Sequence, residues 1–456
     1  MAILVIFAIV NQFFQPCIPK NLFSVIVNRD MDAANEFDVV VVGGGPAGLM
    51  AAGQAALRGL RILLLEKMDM PGRKLRITGM KRCNLTNTIG LDEFKAHFGA
   101  SGKFLRQSFG QFFNTDLVTF IESLGIKTAT ERGGRVFPAV GDATAVTENL
   151  ISWAKRCGAE IRVGSPVEKV IAENGNVSGV SLRDGGSIPC QAVIVATGGA
   201  SYTGTGSTGD GCKMASGLGH TVIPLRPALV PIKTTGETAR KLQGLPLKNA
   251  RVTLIINGKK SEEAFGEMLF THFGLSGPII LTMSGRIVDA LDAEQTVAVS
   301  IDLKPALDED KLNARLLREL DAHGKQQFGT MLKRLLPTKM IPVCAELNGI
   351  PLEKPCHQVN SVERARLLNW LKDFRLNVSG YLRMEAGMVT AGGVSLKEID
   401  PRTMESRLVK GVYFAGEVLD LTADTGGYNL QAAFSTGWQA GQHAGSEPKS
   451  PVKKVI

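Results

Sequence analysis

Three glycines, Gly43, Gly45 and Gly48, stand at the spacing G-x-G-x-x-G, and an acid, Glu66, follows 23 residues after the first of them. In that pattern one glycine makes a tight turn, one lets backbone approach a pyrophosphate, and one lets a helix pack closely on a strand. The helix that starts there offers free N–H groups and its positive dipole end to phosphate. Glu66 is placed to accept hydrogen bonds from ribose hydroxyls. The pattern serves NAD and FAD alike, so the choice of cofactor has to come from elsewhere in the chain.

Other residues suit proton transfer or metal binding less clearly. His272, in FTHFGLSGP, is the best-placed histidine for proton delivery, being set among glycines and polar residues that read as a loop. Arg82, Arg383 and Tyr428 are rivals, each read as structural or cofactor-contacting. Cys83 lies in TGMKRCNLTN, residues 78–87, but no base or helix start that would activate a thiol is written beside it. None of the seven cysteines forms a C-x-x-C pair, so neither zinc nor a disulfide framework is expected, no metal is expected at all, and a reducing cytoplasm fits.

The elements that must position these residues read as α/β. FDVVVV, residues 37–42, is a β-branched strand leading into the glycines; RILLLE, 61–66, is a second strand ending in Glu66. Helices are predicted at 111–124 and, capped by Asp142, at 141–158. PVEKVIA, NVSGVSLR and GSIPC read as a meander broken by Asn-Gly and Asp-Gly-Gly turns, and AVIVA as a separate buried strand before Thr197, Gly198 and Gly199. A second G-x-G-x-x-G, GTGSTG at 204–209, starts eight residues after that strand and precedes no strand ending in an acid. It therefore reads as a loop running into a helix capped by Asp210, not as a second dinucleotide fold. RVTLIIN (251–257) and TVAVSIDL (296–303) look like strands of another sheet, with amphipathic helices over 308–335 and 361–373.

The chain has 456 residues, 44% of them hydrophobic, so more than one core is expected. The predicted division is an unstructured extension over 1–36, a first dinucleotide-domain part over 37–200, and an inserted β-rich domain over 201–390 with a helical segment at about 305–375. A second dinucleotide part over 391–445 and a flexible basic tail over 446–456 complete it. MAILVIFAIV at the start is too short to span a bilayer and lacks a basic n-region, and Met31 opens the folded pattern. Lys and Arg exceed Asp and Glu by 52 − 43 = 9, a scattered excess that suits anionic ligands and implies no nucleic-acid partner by itself.

Taken in order, VVVVGGGPAG with Glu66, VIVATGG, TGSTGDG, VYFAGE and GGYNLQ resemble the FAD domain of fumarate reductase and succinate dehydrogenase flavoproteins. GRKLRITGMKRCNLTN, FTHFGLSGP and the block from AGMVTAGG to STGWQAG are more closely similar to the YhiN/BaiN-like family of FAD-dependent oxidoreductases, over residues 37 to about 445. That family has glycines where this chain has Met80 and Lys81. The resemblance implies a Rossmann-like FAD-binding domain of the two-dinucleotide-fold type, interrupted by an inserted β-rich domain with a helical cap. It implies FAD held at its pyrophosphate by Gly43, Gly45 and Gly48 and at its ribose by Glu66, with Arg73 and Lys74 neutralising phosphate. Glu417 would meet a ribityl hydroxyl, and the N–H groups of Asn429 and Leu430 the flavin edge. Further contacts are implied at Pro46, Ala47, Lys67, Arg82, Cys83, Asn84, Val167, Thr197, Gly198, Gly199, Gly416, Asp420 and Gly427.

Flavin would supply the redox chemistry, leaving the protein to place a substrate and deliver protons. The expectation is hydride transfer to or from a carbon–carbon bond next to a carbonyl of a small molecule, with NADH or NADPH as a transient donor, in a protein without stable membrane association. Two alternatives differ in class. One is a flavin-containing RNA-modifying or RNA-binding protein, and the other a membrane-tethered dehydrogenase subunit that depends on residues 1–30.

Overall fold

The computed structural model describes residues 37–445, so the N-terminal extension, its membrane-anchor alternative and the basic tail lie outside the described residues. Strand Phe37–Val42 carries four consecutive valines, a run that suits a strand covered on both faces, and Val39 to Val41 are fully buried. It pairs in parallel with Ile62–Leu65 on one side and with Ser187–Val195 on the other, in the registers Val39 to Ile62 and Val39 to Ala192. Ala159–Arg162 extends the sheet beyond Ile62–Leu65, and Val412–Phe414 pairs in parallel with Ser187–Val195. Strands Val167–Glu173 and Asn176–Leu182 complete it as the expected meander.

One part of that reading is corrected. GSIPC and AVIVA are a single strand, Ser187–Val195, whose first residues pair antiparallel with Asn176–Leu182 and whose last pair in parallel with Phe37–Val42. Between the two runs stands Gln191 with no glycine or turn residue to break the strand, so the ladder passes from one partner to the next without interruption.

Asp142 caps helix Ala143–Arg156 as expected, accepting from the N–H groups of Thr144 at 2.8 Å and Ala145 at 3.1 Å. The helix expected at 111–124 is Asn114–Ser123, with the short helix Arg106–Gln111 before it. The last helix, Tyr428–His443, lies against helix Pro46–Leu57 because Gly437 and Gly441 present no side chain there. A Cβ at either would stand 2.3 Å from the Ala47 carbonyl oxygen or 2.5 Å from that of Ala51. In this register Gly437 lies level with the start of the first helix, so the last helix begins about nine residues before that level.

Between Val222–Ala228 and Val389–Val394, which pair antiparallel, the chain builds a closed antiparallel barrel. Its strands are Ile232–Thr234, Pro246–Ile256, Lys259–Phe270, Gly274–Ser276, Val297–Asp302 and Phe374–Tyr381. Helices Glu309–Ala322, Ile341–Asn348 and Ser361–Lys372 pack on it around a core of their own, separate from that of the parallel sheet. The stretch 308–335 is not one helix: Asp308 caps its start, the helix ends at Ala322, and Phe328–Leu332 forms a second, after a turn containing Gly324. The expected α/β architecture with a β-rich insert is the one observed, and the insert is a closed barrel.

One buried cluster imitates a hydrolytic triad. Ser406 Oγ lies 2.8 Å from His220 Nε2, and His220 Nδ1 lies 3.2 Å from Glu398. Ser406 Oγ already accepts the N–H groups of Leu408 and Val409, and the serine is buried, so the cluster locks a loop and attacks nothing. Burial pushes the His220 imidazole below its usual range, with Glu398 opposing. The unfolded chain therefore takes up this proton first as pH falls, and folding stability should drop on going from about pH 7 to about pH 5. Urea unfolding across that range should show a flatter dependence in His220→Asn, although that variant is less stable throughout.

Candidate functional site

The sequence reaches the site through the turn after the first strand. Gly43 is left-handed at φ 105°, and a Cβ there would stand 2.6 Å from the Ala196 carbonyl oxygen. The chain then enters helix Pro46–Leu57 with proline in its first turn and no side-chain cap at Gly45. Glu66, at the end of the second strand, accepts the N–H groups of Gly44 at 2.8 Å and Met68 at 2.9 Å, which holds its carboxylate beside the glycine turn. From there a cleft, partly open to solvent, runs to the start of the last helix, an extent that suits an elongated ligand.

Most of the residues singled out in the sequence line this cleft. Gly43, Gly45, Pro46 and Ala47 do so at the turn, Glu66 and Lys67 at the end of the second strand, and Arg73 and Lys74 on the short helix after it. Val167, Thr197 and Gly198 flank them, and Gly416, Glu417, Asn429 and Leu430 close the far end. Gly48, Gly199, Asp420 and Gly427 stand behind the lining. Gly48 and Gly199 are close-packing positions, where a Cβ would meet the Gly43 carbonyl oxygen at 1.9 Å and Thr390 Oγ1 at 2.3 Å. Burial holds the Asp420 carboxyl above its usual range, with Arg226 opposing.

Two cations are tied across the cleft. Lys74 Nζ lies 2.8 Å from Glu417 and 2.7 Å from Ser201 Oγ, and Glu417 also accepts the Thr390 N–H at 2.8 Å. Lys67 Nζ lies 2.6 Å from Asp210 and 2.5 Å from Thr208 Oγ1. Burial opposes ionisation of Asp210, yet Lys67 holds the carboxyl below its usual range. Asp210 is the first residue of helix Asp210–Gly217 and not its cap, because Gly209 takes the cap position and the Asp210 side chain turns to Lys67. The loop of the false second signature lines the same cleft through Thr205, Gly206 and Ser207. Its partners, Lys67 and Met68, could not be read from the sequence.

Arg82, Cys83 and Asn84 do not line the cleft. Burial pushes the Cys83 thiol up to about 12, with the Thr78 hydrogen bond opposing, so it is not a poised nucleophile. With its amide oriented to satisfy its neighbours, Asn84 accepts the Gly427 N–H at 3.0 Å and donates to Val136 and Thr86. Arg82 pairs with Glu131 and stacks 4.4 Å from the Phe137 ring centroid. The loop therefore braces the start of the last helix through a small sheet of Thr86–Asn87, Thr128–Thr130 and Arg135–Pro138.

Bracing has a backbone cost. Met80, Lys81 and Cys83 all lie in the left-handed region, at φ 55°, 70° and 60°. A side chain there is disfavoured by about 1 kcal/mol per residue. The two positions at which the resembled family has glycine are thus ones where glycine fits the backbone. Lys81→Gly should raise stability by about 0.5 kcal/mol, the relief outweighing the added freedom of the unfolded chain, as denaturant unfolding would show.

His272 lies in the turn between strands Lys259–Phe270 and Gly274–Ser276, exposed, with its ring edge-on to Phe273 at 4.8 Å, and it does not line the cleft. Arg383 precedes a short 3₁₀ turn next to Met388, which does. Tyr428 is buried at the start of the last helix, its hydroxyl pushed up to about 12 by burial and by the charges of Asp424 and Glu93. His97 and Asp424 meet there although they are 327 residues apart, a pairing with no mark in the sequence.

These features fit FAD. The uncapped start of helix Pro46–Leu57 faces the cleft where a pyrophosphate would lie, and no atom stands within 4 Å of a Cβ built on Gly45, so room is left for it. The second uncapped start, at Tyr428, stands at the far end, where a flavin ring would lie. Among the described residues no group of three or more His, Cys, Asp or Glu side chains could hold a metal ion, and no helix is long and apolar enough to cross a membrane.

Comparison with known proteins gives the same picture. A family model described as HI0933-like protein Rossmann domain matches residues 37–443. The 3-dehydro-bile acid delta(4,6)-reductase of Clostridium scindens is 32% identical, over 90% of this chain and 99% of its own length. The ribosomal RNA dihydrouridine synthase of Escherichia coli is 31% identical, over 89% of this chain and 97% of its own. Among solved structures, 3-ketosteroid delta1-dehydrogenase from Sterolibacterium denitrificans, in complex with 1,4-androstadiene-3,17-dione, superposes with a TM-score of 0.51 at 15% identity. It covers 90% of this chain and 99% of that one, and at this identity the likeness concerns the fold.

Proposed function

We propose that this chain, which belongs to the HI0933-like Rossmann-domain family and is an FAD-dependent oxidoreductase, saturates a carbon–carbon double bond conjugated to a ring carbonyl. Two relatives' names support this reading. A delta(4,6)-reductase of a 3-dehydro bile acid and a dihydrouridine synthase both describe a ring double bond near a carbonyl taking up two hydrogens. Bound FAD supplies the two-electron chemistry. The chain's own contribution is binding and electrostatics: Glu66 and the start of helix Pro46–Leu57 hold the nucleotide end, and Lys74 with Glu417 braces the far end.

The observation that carries the proposal is the uncapped start of helix Tyr428–His443, with Asn429 and Leu430 on the cleft. A helix start stabilises the negative charge that reduction places beside it. NADH or NADPH fits as a transient donor. The loop of the second glycine signature belongs to the same cleft, so a nicotinamide would have to approach the reacting face itself.

One observation favours a second reading, in which the reducible ring is a uracil base of RNA. Arg82 and Arg135 lie 4.4 and 5.8 Å from the ring centroid of Phe137, beside the brace to Gly427. Exposed guanidinium groups are what a protein offers the phosphates and bases of RNA. The test is to incubate purified protein and NADPH separately with a steroid 4-en-3-one and with a uridine-containing ribosomal RNA fragment. A product carrying two added hydrogens is expected in one arm. Recovery of both acceptors unchanged, with flavin bound and reducible, would sink both readings.

A further inference from the structure

From the side-chain arrangement at the start of the last helix, and resting on the proposed saturation of a conjugated double bond, we propose that His97, held by Asp424 and stacked on Tyr428, is the acid that protonates the substrate carbon. His97 follows helix Leu91–Ala96. Its Nδ1 lies 2.8 Å from Asp424 Oδ2, and its ring lies 3.9 Å from that of Tyr428 at an angle of 15°. These two contacts set both the position and the plane of the imidazole. Nε2 makes no hydrogen bond among the described residues, and the side chain is 28% exposed, so one N–H is free to be used and to be refilled from water.

Neither His97 nor Asp424 is itself in the lining of the cleft, but the dyad is tied to that lining through Asn429. Asp424 lies in the loop leading into helix Tyr428–His443, and Asn429, which lines the cleft, holds that loop. Asn429 Oδ1 accepts the Ala423 N–H at 2.9 Å, while Nδ2 donates to the carbonyls of Ala423 at 2.9 Å and Asp424 at 3.3 Å. On barrel strand Lys259–Phe270, Glu262 pairs with Arg286 at 4.0 Å and feels the charge of Asp424. Burial holds the Glu262 carboxyl above its usual range, with Arg286 opposing and the charge of Asp424 adding to the rise. The groups facing the dyad are thus Tyr428 from the last helix, Glu93 from its own helix, Glu262 from the barrel strand and Arg286 from helix Pro278–Asp292.

The balance is simple. The carbon farther from the carbonyl receives a hydride equivalent from the reduced cofactor, the π pair moves to the nearer carbon, and that carbon takes a proton from Nε2 of the His97 imidazolium. Neutral imidazole remains, its proton kept on Nδ1 and donated to the Asp424 carboxylate, and solvent restores the proton at Nε2. Asp424 acts as a positioning residue, fixing which nitrogen donates.

The test uses the FAD-loaded full chain, reduced anaerobically and mixed with whichever enone or uridine-containing RNA it reduces. In the wild type the rate of flavin reoxidation should fall as pH rises. In His97→Gln that rate should be lower by about 100-fold and the pH dependence lost, while FAD content and the rate of reduction by dithionite stay unchanged. Asp424→Asn should shift the profile with a smaller loss. A second readout needs no turnover: a para-substituted phenol, whose oxyanion mimics the enolate, should bind the oxidised wild-type protein with a long-wavelength band and bind His97→Gln more weakly. A His97→Gln protein that keeps the wild-type profile and phenol affinity overturns the assignment, as does the loss being found in His272→Gln instead. A wild type that no acceptor reoxidises overturns the parent reading and this one with it.

Discussion

Gly45→Asp is expected to give a folded protein that purifies without flavin. Gly45 occupies the cap position of helix Pro46–Leu57 with ordinary extended angles, φ −75° and ψ −177°, and a Cβ there meets nothing within 4 Å. Aspartate is among the best capping residues, so the cofactor-free variant should be more stable than the cofactor-free wild type by about 0.5 kcal/mol. The same carboxylate occupies the space and the dipole end needed by a pyrophosphate, and FAD affinity should fall by about 100-fold or more. Gly48→Ala should behave in the opposite way. Its Cβ would stand 1.9 Å from the Gly43 carbonyl oxygen, and the forced shift of helix on strand should cost about 3 kcal/mol whether or not FAD is present. Flavin-to-protein ratio and urea unfolding of the cofactor-free forms separate the two outcomes. Were Gly45→Asp to retain flavin at the wild-type ratio, the pyrophosphate would not lie at this turn.

Glu417→Ala is expected to be the most damaging single change at the far end of the cleft. Lys74 and Glu417 are each about four-fifths buried, and the carboxylate also accepts from Thr390 on the strand returning from the barrel. Removing it leaves a largely buried ammonium without its counter-charge and the Thr390 N–H without its acceptor, at a cost of about 3 kcal/mol. FAD affinity should fall by about tenfold as this wall of the cleft loosens. Lys74→Met combined with Glu417→Ala should be less destabilised than the sum of the two singles, by about 1 kcal/mol or more, because the second change removes the stranded charge. Strict additivity would mean that the pair contributes nothing to the cleft.

How much of this was legible in the sequence depended on whether the signal was local. The glycine turn, Glu66 and the Asp142 cap were readable because each is a short run whose backbone geometry demands particular residues. Ser187–Val195 was read as two strands because a strand that changes partners has no local mark. Asp210 was read as a cap because its competing partner, Lys67, is 143 residues away. The pairing of His97 with Asp424 was invisible for the same reason, and attention went to His272, whose loop composition is conspicuous. Cys83 drew notice as a reactive type. Its burial and the use of its loop as a brace for Gly427 are set by tertiary contacts, and the departure from glycine at Met80 and Lys81 left open a loop geometry that the structure shows to be left-handed there.

The central claim is that this cleft holds FAD and passes its electrons to a conjugated double bond. Its most direct measurement is anaerobic: the protein as purified is titrated with dithionite or NADPH until the flavin absorbance bleaches, then mixed with a cyclic enone or a uridine-containing RNA. The account predicts a bound flavin whose absorbance returns at a rate set by acceptor concentration, with the acceptor recovered two hydrogens heavier. A protein that binds no flavin, or a reduced flavin reoxidised by oxygen but by no conjugated acceptor, would contradict it.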